Sequence, residues 1–159
     1  MQQSNILIRT ATLKDLPVLL DFEQKIIETE RPMDVTLKRE KISYYDIKSY
    51  ITADHTEVIV AEHEGKVIAS GYGQIRNRKG YFIQKQLGYI GFIYLAPEYR
   101  GQGIVQNILE ELSKWFTSKG IEEIRLTVYD KNPRAIRAYE KAGFERHIVE
   151  MRYNLKEKG

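Results

Sequence analysis

Ile93-Tyr94-Leu95-Ala96-Pro97-Glu98-Tyr99-Arg100-Gly101-Gln102-Gly103-Ile104-Val105 is the stretch whose reading decides the fold. Its apolar opening reads as a buried strand, and it breaks at Pro97 and passes two glycines. It then enters an apolar repeat, Ile104, Ile108, Leu112 and Trp115, at helical spacing. The start of a helix leaves its first N–H groups without internal partners, and the helix dipole adds partial positive charge there. Gly101 and Gly103 let an anion approach that backbone closely, so Arg100 to Gln106 is suited to holding phosphate.

Working outward, Lys119-Gly120 is a basic last turn with a C-terminal glycine. Ile124 to Tyr129 reads as a strand, Asn132-Pro133 as a helix cap with proline at the first position, and Gly143 as that helix's end. Phe144 to Leu155 returns as a strand. Upstream, Asn5 to Thr10 alternates as a short strand. Thr12 and Asp15 form a capping-box-like start to a helix with Leu16, Leu19, Leu20, Ile26 and Ile27 on one arc, and Arg31-Pro32 stops it. A short helix fits Tyr45 to Thr52. Glu57 to His63 and Lys66 to Arg76 form a hairpin around Glu64-Gly65, and a further strand covers Tyr89 to Leu95. The order β-α-α-β-β-β-α-β-α-β implies an α/β domain with a mixed sheet covered by helices.

Composition narrows the chemistry. The 159 residues suit one domain, with 42% apolar and 30% charged residues. Twenty-five basic against twenty-two acidic residues give +3, not the bias of a nucleic-acid binder. The absence of cysteine excludes a disulfide scaffold, a thiol nucleophile and thiolate-held metals. Three scattered histidines make a histidine metal site unexpected, so no metal is anticipated. No long apolar run or signal-peptide order is present, and the expectation is a cytoplasmic protein without a membrane partner. Arg76, Arg78, Lys79 and Lys85 put four positive charges on a hairpin tip and read as a solvated face.

A second motif follows the strand after the glycine loop: Asn132-Pro133-Arg134-Ala135-Ile136-Arg137-Ala138-Tyr139-Glu140-Lys141-Ala142-Gly143-Phe144. Tyr139 lies seven residues from the cap, about two turns on and nearly on the same face.

Together the two segments resemble the GNAT superfamily of acyl-CoA-dependent N-acetyltransferases. Its phosphate-binding signature falls on Arg100, Gly103 and Val105, the last where the family prefers glycine or alanine. Its second signature matches Asn132, Ala135, Tyr139, Gly143 and Phe144 without a gap. The resemblance implies one domain over residues 1–159, with a mostly antiparallel sheet splayed at its central strands and about four flanking helices. It implies acetyl-CoA as co-substrate, its pyrophosphate on the backbone of Arg100, Gly101, Gln102, Gly103, Ile104, Val105 and Gln106. Ile93, Tyr94 and Leu95 would pair with the pantetheine arm, one of their N–H groups polarising the thioester carbonyl. Asn132, with Ala135 of the same motif, would contact the arm, and Tyr139 would lie near the sulfur as general acid. Direct attack by a primary amine is the implied reaction.

An alkyl amine arrives protonated, with a pKa of about 10.4, and must lose a proton. Relatives often carry an acid near the positions of Gly91 and Phe92, where this chain has none. Glu23 falls in the middle of the first helix's apolar arc and Glu30 close beside it, where desolvation would raise their pKa values. Both are candidate bases, although proton loss through ordered water needs neither. Glu28, Glu30 and Asp34 favour a cationic acceptor, whether small molecule or peptide, and a monomer and a homodimer fit equally. Two other readings compete: a non-catalytic acyl-CoA-binding module and a dinucleotide-binding unit built on Gly101-x-Gly103 and Asp130.

Overall fold

The computed structural model describes residues 5–157; the domain expected over 1–159 therefore includes residues 1–4, 158 and 159, which lie outside those described. Its strands are β1 (Ile6–Thr10), β2 (Thr56–His63), β3 (Lys66–Asn77), β4 (Gln86–Leu95) and β5 (Ile124–Arg125). Its helices are α1 (Leu16–Glu30), α2 (Ile47–Thr52), α3 (Ile104–Ser118) and α4 (Pro133–Lys141). The sheet runs in chain order from β1 to β5. The first four strands are antiparallel, and β4 pairs with β5 in parallel through Gly88–Ile124 and Tyr89–Arg125. This mixed α/β architecture is the expected one. The dinucleotide alternative is overturned, because it requires a run of parallel strands.

Helices cover both faces, which is why Val58 to Ala61 reads as a continuous apolar run rather than an alternation. Ile59 and Ala61 join Ile68, Ile90, Ile108, Leu112 and Phe116 under α3. Val58 and Val60 point the other way, to Leu19, Phe22, Ile47, Tyr72 and Phe92 under α1 and α2. The buried arc of α1 is Leu19, Phe22, Glu23 and Ile27, whereas Leu20 is 45% exposed. The Thr12 N–H donates to the Asp15 carboxylate (2.8 Å), and Arg9 clamps the same carboxylate while also pairing with Glu62. The capping box thus opens a single tight turn, Leu13–Asp15, that leads into α1.

Two strand expectations change. The strand expected from Ile124 to Tyr129 is laddered only over Ile124–Arg125, because β4 turns away beyond Tyr89. The strand expected from Phe144 to Leu155 has no ladder: after Phe144 the chain meets no strand edge among the described residues. Its residues have strand propensity, but a strand also needs a partner.

Phe116 lies directly on the sheet. A Cβ added at Gly88 would sit 2.4 Å from its ring, and one at Gly73 would sit 2.7 Å away. The ring is buried and hemmed in by the α3 cluster, so it cannot yield. Gly88→Ala should therefore destabilise the fold by about 1–3 kcal/mol through overpacking. Urea denaturation reads this directly, and an unchanged midpoint would show that the ring has room.

Candidate active site

The site is organised around the end of β4. Tyr72 faces Gly91 and Ser70 faces Tyr94, so Phe92 and Ile93 bulge opposite Gly71. Phe92 takes φ 59°, a costly conformation for a bulky residue, and the hydroxyl of buried Ser70 donates to its carbonyl (2.9 Å). The parallel ladder to β5 ends at Tyr89, so from Ile90 onward that edge of β4 has no strand partner. Ile93, Tyr94 and Leu95 thus occupy a strand with one free edge. Gly91 leaves no room for a larger side chain, since a Cβ there would meet the Tyr72 ring at 2.8 Å.

The chain then turns through Pro97–Tyr99 into Arg100, Gly101, Gln102 and Gly103. Gly101 (φ 83°) and Gly103 (φ 77°) are left-handed, and nothing stands within 4 Å of where their side chains would be. Gly103 caps α3 without a side-chain acceptor, so the N–H groups of Ile104, Val105 and Gln106 open onto an uncapped helix start. Val105 sends its side chain against the α3 core cluster. Tyr99 anchors the turn through a 2.7 Å hydrogen bond to His63 Nδ1. The open backbone cup thus fits an anion such as the pyrophosphate of coenzyme A.

Gln106 ties the two motifs together by donating from Nε2 to the Ala138 carbonyl (3.0 Å), next to Tyr139. Asn132 uses its side-chain oxygen to cap α4, accepting from the Ala135 N–H (3.3 Å). Tyr139 is half-buried against the α3 cluster, edge-on to Phe144. Desolvation, followed by the nearby Glu30 and Tyr89, pushes its hydroxyl up to about 12.

The two acids of α1 have different surroundings. Glu23 is 1% exposed and accepts from the backbone N–H groups of Tyr44 (2.7 Å) and Tyr45 (2.8 Å) and from the Ser43 hydroxyl. It thereby holds the loop after α1, which Arg31 also grips through the Lys38 and Glu40 carbonyls. Glu30 is half-buried and accepts one hydrogen bond, from the Tyr44 hydroxyl (2.8 Å). Burial raises its carboxyl above the ordinary range, the Tyr44 hydrogen bond opposes this, and Asp34 adds to the rise. Asp34 accepts from Thr36 and from the Tyr129 hydroxyl (2.6 Å), which hold it below the ordinary range, Thr36 most strongly. Tyr44 and Tyr129, both raised by desolvation first, were missed by sequence reasoning. Their partners lie 14 and 95 residues away, and the loop of Tyr44 has no periodicity to read.

Among the described residues, no group of three or more His, Asp or Glu side chains could hold a metal ion, and no helix is long and apolar enough to cross a membrane. Pockets lie between β1, β2 and α3 and beside Glu23 and Ser43, but neither includes the glycine loop.

Solved structures share this architecture. A mutant of the BH1408 protein from Bacillus halodurans aligns with a TM-score of 0.85 at 21% identity, over 94% of this chain and 99% of that one. A predicted acetyltransferase from Clostridium acetobutylicum, solved with acetyl-CoA, aligns with a TM-score of 0.70 at 22% identity, over 96% and 97%. In sequence, the thialysine N-epsilon-acetyltransferase of Bos taurus is 42% identical over 55 residues, 35% of this chain and 32% of that protein, so the match spans about a third of that relative. The family model for the acetyltransferase (GNAT) family matches residues 23–144, from the anchoring acid of α1 to the end of the second motif. The chain therefore belongs to the GNAT family of acetyltransferases, enzymes that use acetyl-CoA.

Proposed function

We propose that this acetyltransferase transfers the acetyl group by direct attack of a primary amine, and that its acceptor is cationic and lysine-like. The carrying observation is that Tyr139, on the second motif, Glu30, at the end of α1, and Tyr89, where the β4–β5 ladder ends, come within electrostatic reach of one another. Arg100 to Gln106 would hold the pyrophosphate of acetyl-CoA, with Ile93, Tyr94 and Leu95 along its arm and Asn132 and Ala135 facing it. Val105 adds its N–H to the cup, because its β-branched side chain is committed to the core. Acetyl-CoA supplies the activated acyl group and leaves as a thiol.

Glu30 is the better base of the two acids. Its carboxylate carries one hydrogen bond and is partly desolvated, so it can take a proton from the acceptor ammonium. Glu23 is saturated by backbone donors and serves to position the loop that presents Tyr44. Tyr139, protonated at neutral pH, offers its hydroxyl hydrogen toward the departing sulfur. Asp34 stays ionised, and with Glu30 it forms an acidic pair walled by Tyr44 and Tyr129. Two carboxylates between aromatic rings suit an aliphatic chain carrying a second positive charge. The lysine-type substrate in the name of the bovine relative points the same way.

Three measurements test this reading. With acetyl-CoA and a panel of amines, thiol release should show the highest kcat/KM for thialysine, lysine and diamines. Equal efficiency with a neutral monoamine of the same length would refute the cationic acceptor. Tyr139→Phe should lower kcat roughly 10²-fold, the lower range for a lost hydrogen-bond donor to developing charge, with little change in acetyl-CoA KM. An unchanged kcat with chemistry rate-limiting would remove that role. Because a base works deprotonated and burial raises Glu30, kcat/KM should fall with decreasing pH on a limb above the ordinary carboxylate value of about 4.3. Glu30→Gln should abolish that limb; its persistence would assign it to another group.

A further inference from the structure

The four basic residues of the β3–β4 hairpin have unlike surroundings. Arg78 and Lys79 lie over the tip's own rings, Phe82 at 3.5 Å and Tyr81 at 6.0 Å, and Lys85 is exposed at the same tip. Arg76 sits lower, inside the ladder opposite Leu87. The alternation of a strand puts it on the same face of β3 as Tyr72 and Gln74. That face lies under α1 and α2, where Tyr72 is buried and Tyr89 packs beside it. The solvated face expected for all four charges therefore describes the tip, whereas Arg76 lies against a built surface.

Arg76 is also held in place. Its guanidinium lies 3.9 Å above the Tyr89 ring, diagonally across the ladder, and its Nε donates to the Gln74 side-chain oxygen (2.7 Å). The Tyr89 platform is itself fixed. Its backbone is laddered to Gln74 on one side and Arg125 on the other, and its hydroxyl is hydrogen-bonded to Thr127, just beyond the last paired residues of β5. Arg9, Arg31, Arg125 and Arg146 each pair with a carboxylate; among the described residues Arg76 pairs with none. A guanidinium stacked in this way keeps N–H donors on its terminal nitrogens, in the planar fork that a carboxylate matches. An ordered cation without a counter-ion is a preformed anion site.

Its position relates that anion to the acceptor. Tyr89, on which Arg76 stacks, is within electrostatic reach of Tyr139, as is Glu30. Glu30 and Asp34 attract the ammonium groups of a lysine-like acceptor but repel any carboxylate it carries. We propose that Arg76 binds the carboxylate of the acceptor, so that the enzyme acts on free amino acids of the lysine type in preference to diamines. The assignment rests on the reading that the amine enters beside Glu30 and Tyr139, and it adds to that reading a specificity-determining residue on β3.

Lysine and its decarboxylated analogue cadaverine differ only in the carboxylate, so the ratio of their kcat/KM values tests the assignment. The wild-type protein should favour lysine by about tenfold or more, the effect expected of hydrogen bonds between charged groups. Arg76→Gln should bring the ratio close to unity. Arg76→Lys, which keeps the charge without the planar fork, should retain part of the preference. Hexanoate, a carboxylate without an amine, should inhibit competitively against lysine in the wild type and lose that effect in Arg76→Gln. A rise in Tm with acetyl-CoA in each variant reports an intact fold. A wild-type ratio near unity would overturn the proposal, as would a ratio unchanged in Arg76→Gln or equal inhibition of both proteins by hexanoate. If the wild type acetylates neither amine, the acceptor reading fails together with the proposal; if it acetylates both alike, only the role of Arg76 fails.

Discussion

Backbone hydrogen bonding determines where this protein can do chemistry. β4 is paired on both edges only as far as Tyr89; beyond it the β3 side keeps a partner and the other side opens. The bulge at Phe92 sits within that opened stretch, where extra twist carries the strand away from its neighbour. A positive φ at a phenylalanine costs on the order of 1–3 kcal/mol and persists only where the surroundings over-determine it. Here the buried Ser70 hydroxyl holds the carbonyl, and the ring is packed beside Tyr45. The free edge, the glycine turn that follows and the uncapped start of α3 are consecutive segments of one chain path.

The acids of α1 show how environment divides like groups into unlike roles. Glu23 and Glu30 lie seven residues apart, two turns along the helix, and both face inward. Glu23 meets a loop whose backbone N–H groups need an acceptor, and its charge is spent there. Glu30 meets a neutral phenol and partial burial, conditions that leave its proton affinity high. A base must be able to gain a proton without dismantling its surroundings. Glu23 accepts from two backbone N–H groups and the Ser43 hydroxyl, whereas Glu30 accepts from one hydroxyl.

Much of the ladder was legible because periods of two and 3.6 residues report directly on buried faces. β1 to β4, α1 and α3 fall within a few residues of where the pattern puts them. The glycine turn was legible for another reason: Gly101 and Gly103 stand where φ is positive. What escaped depends on contacts distant in sequence. Phe22, not Leu20, completes the α1 arc because Tyr94 stacks on it at 4.3 Å. The Tyr129–Asp34 pair spans 95 residues and leaves no local trace. The segment after Phe144 carries the composition of a strand, but propensity cannot say whether an edge stands beside it.

The proton inventory constrains what Tyr139 can do. Under the proposed direct attack, converting an ammonium to an amide releases two protons overall; Glu30 would take one, and the departing sulfur must gain the other. The thiolate of a thiol resembling cysteine, with a pKa of about 8.5, is a weaker base than a phenolate whose hydroxyl burial raises above its ordinary value. Full transfer from Tyr139 to the sulfur would therefore run uphill. A hydrogen bond from the intact phenol stabilises the developing charge without meeting that cost, because it lowers the energy of the separating sulfur while the proton stays on oxygen. The elevated pKa then favours the role: it keeps the hydroxyl protonated at neutral pH, close to Glu30 yet not ionised by it. Under the proposed function Tyr139 would act as an electrostatic donor through the bond-breaking step, and the thiol would receive its proton once the sulfur has moved away.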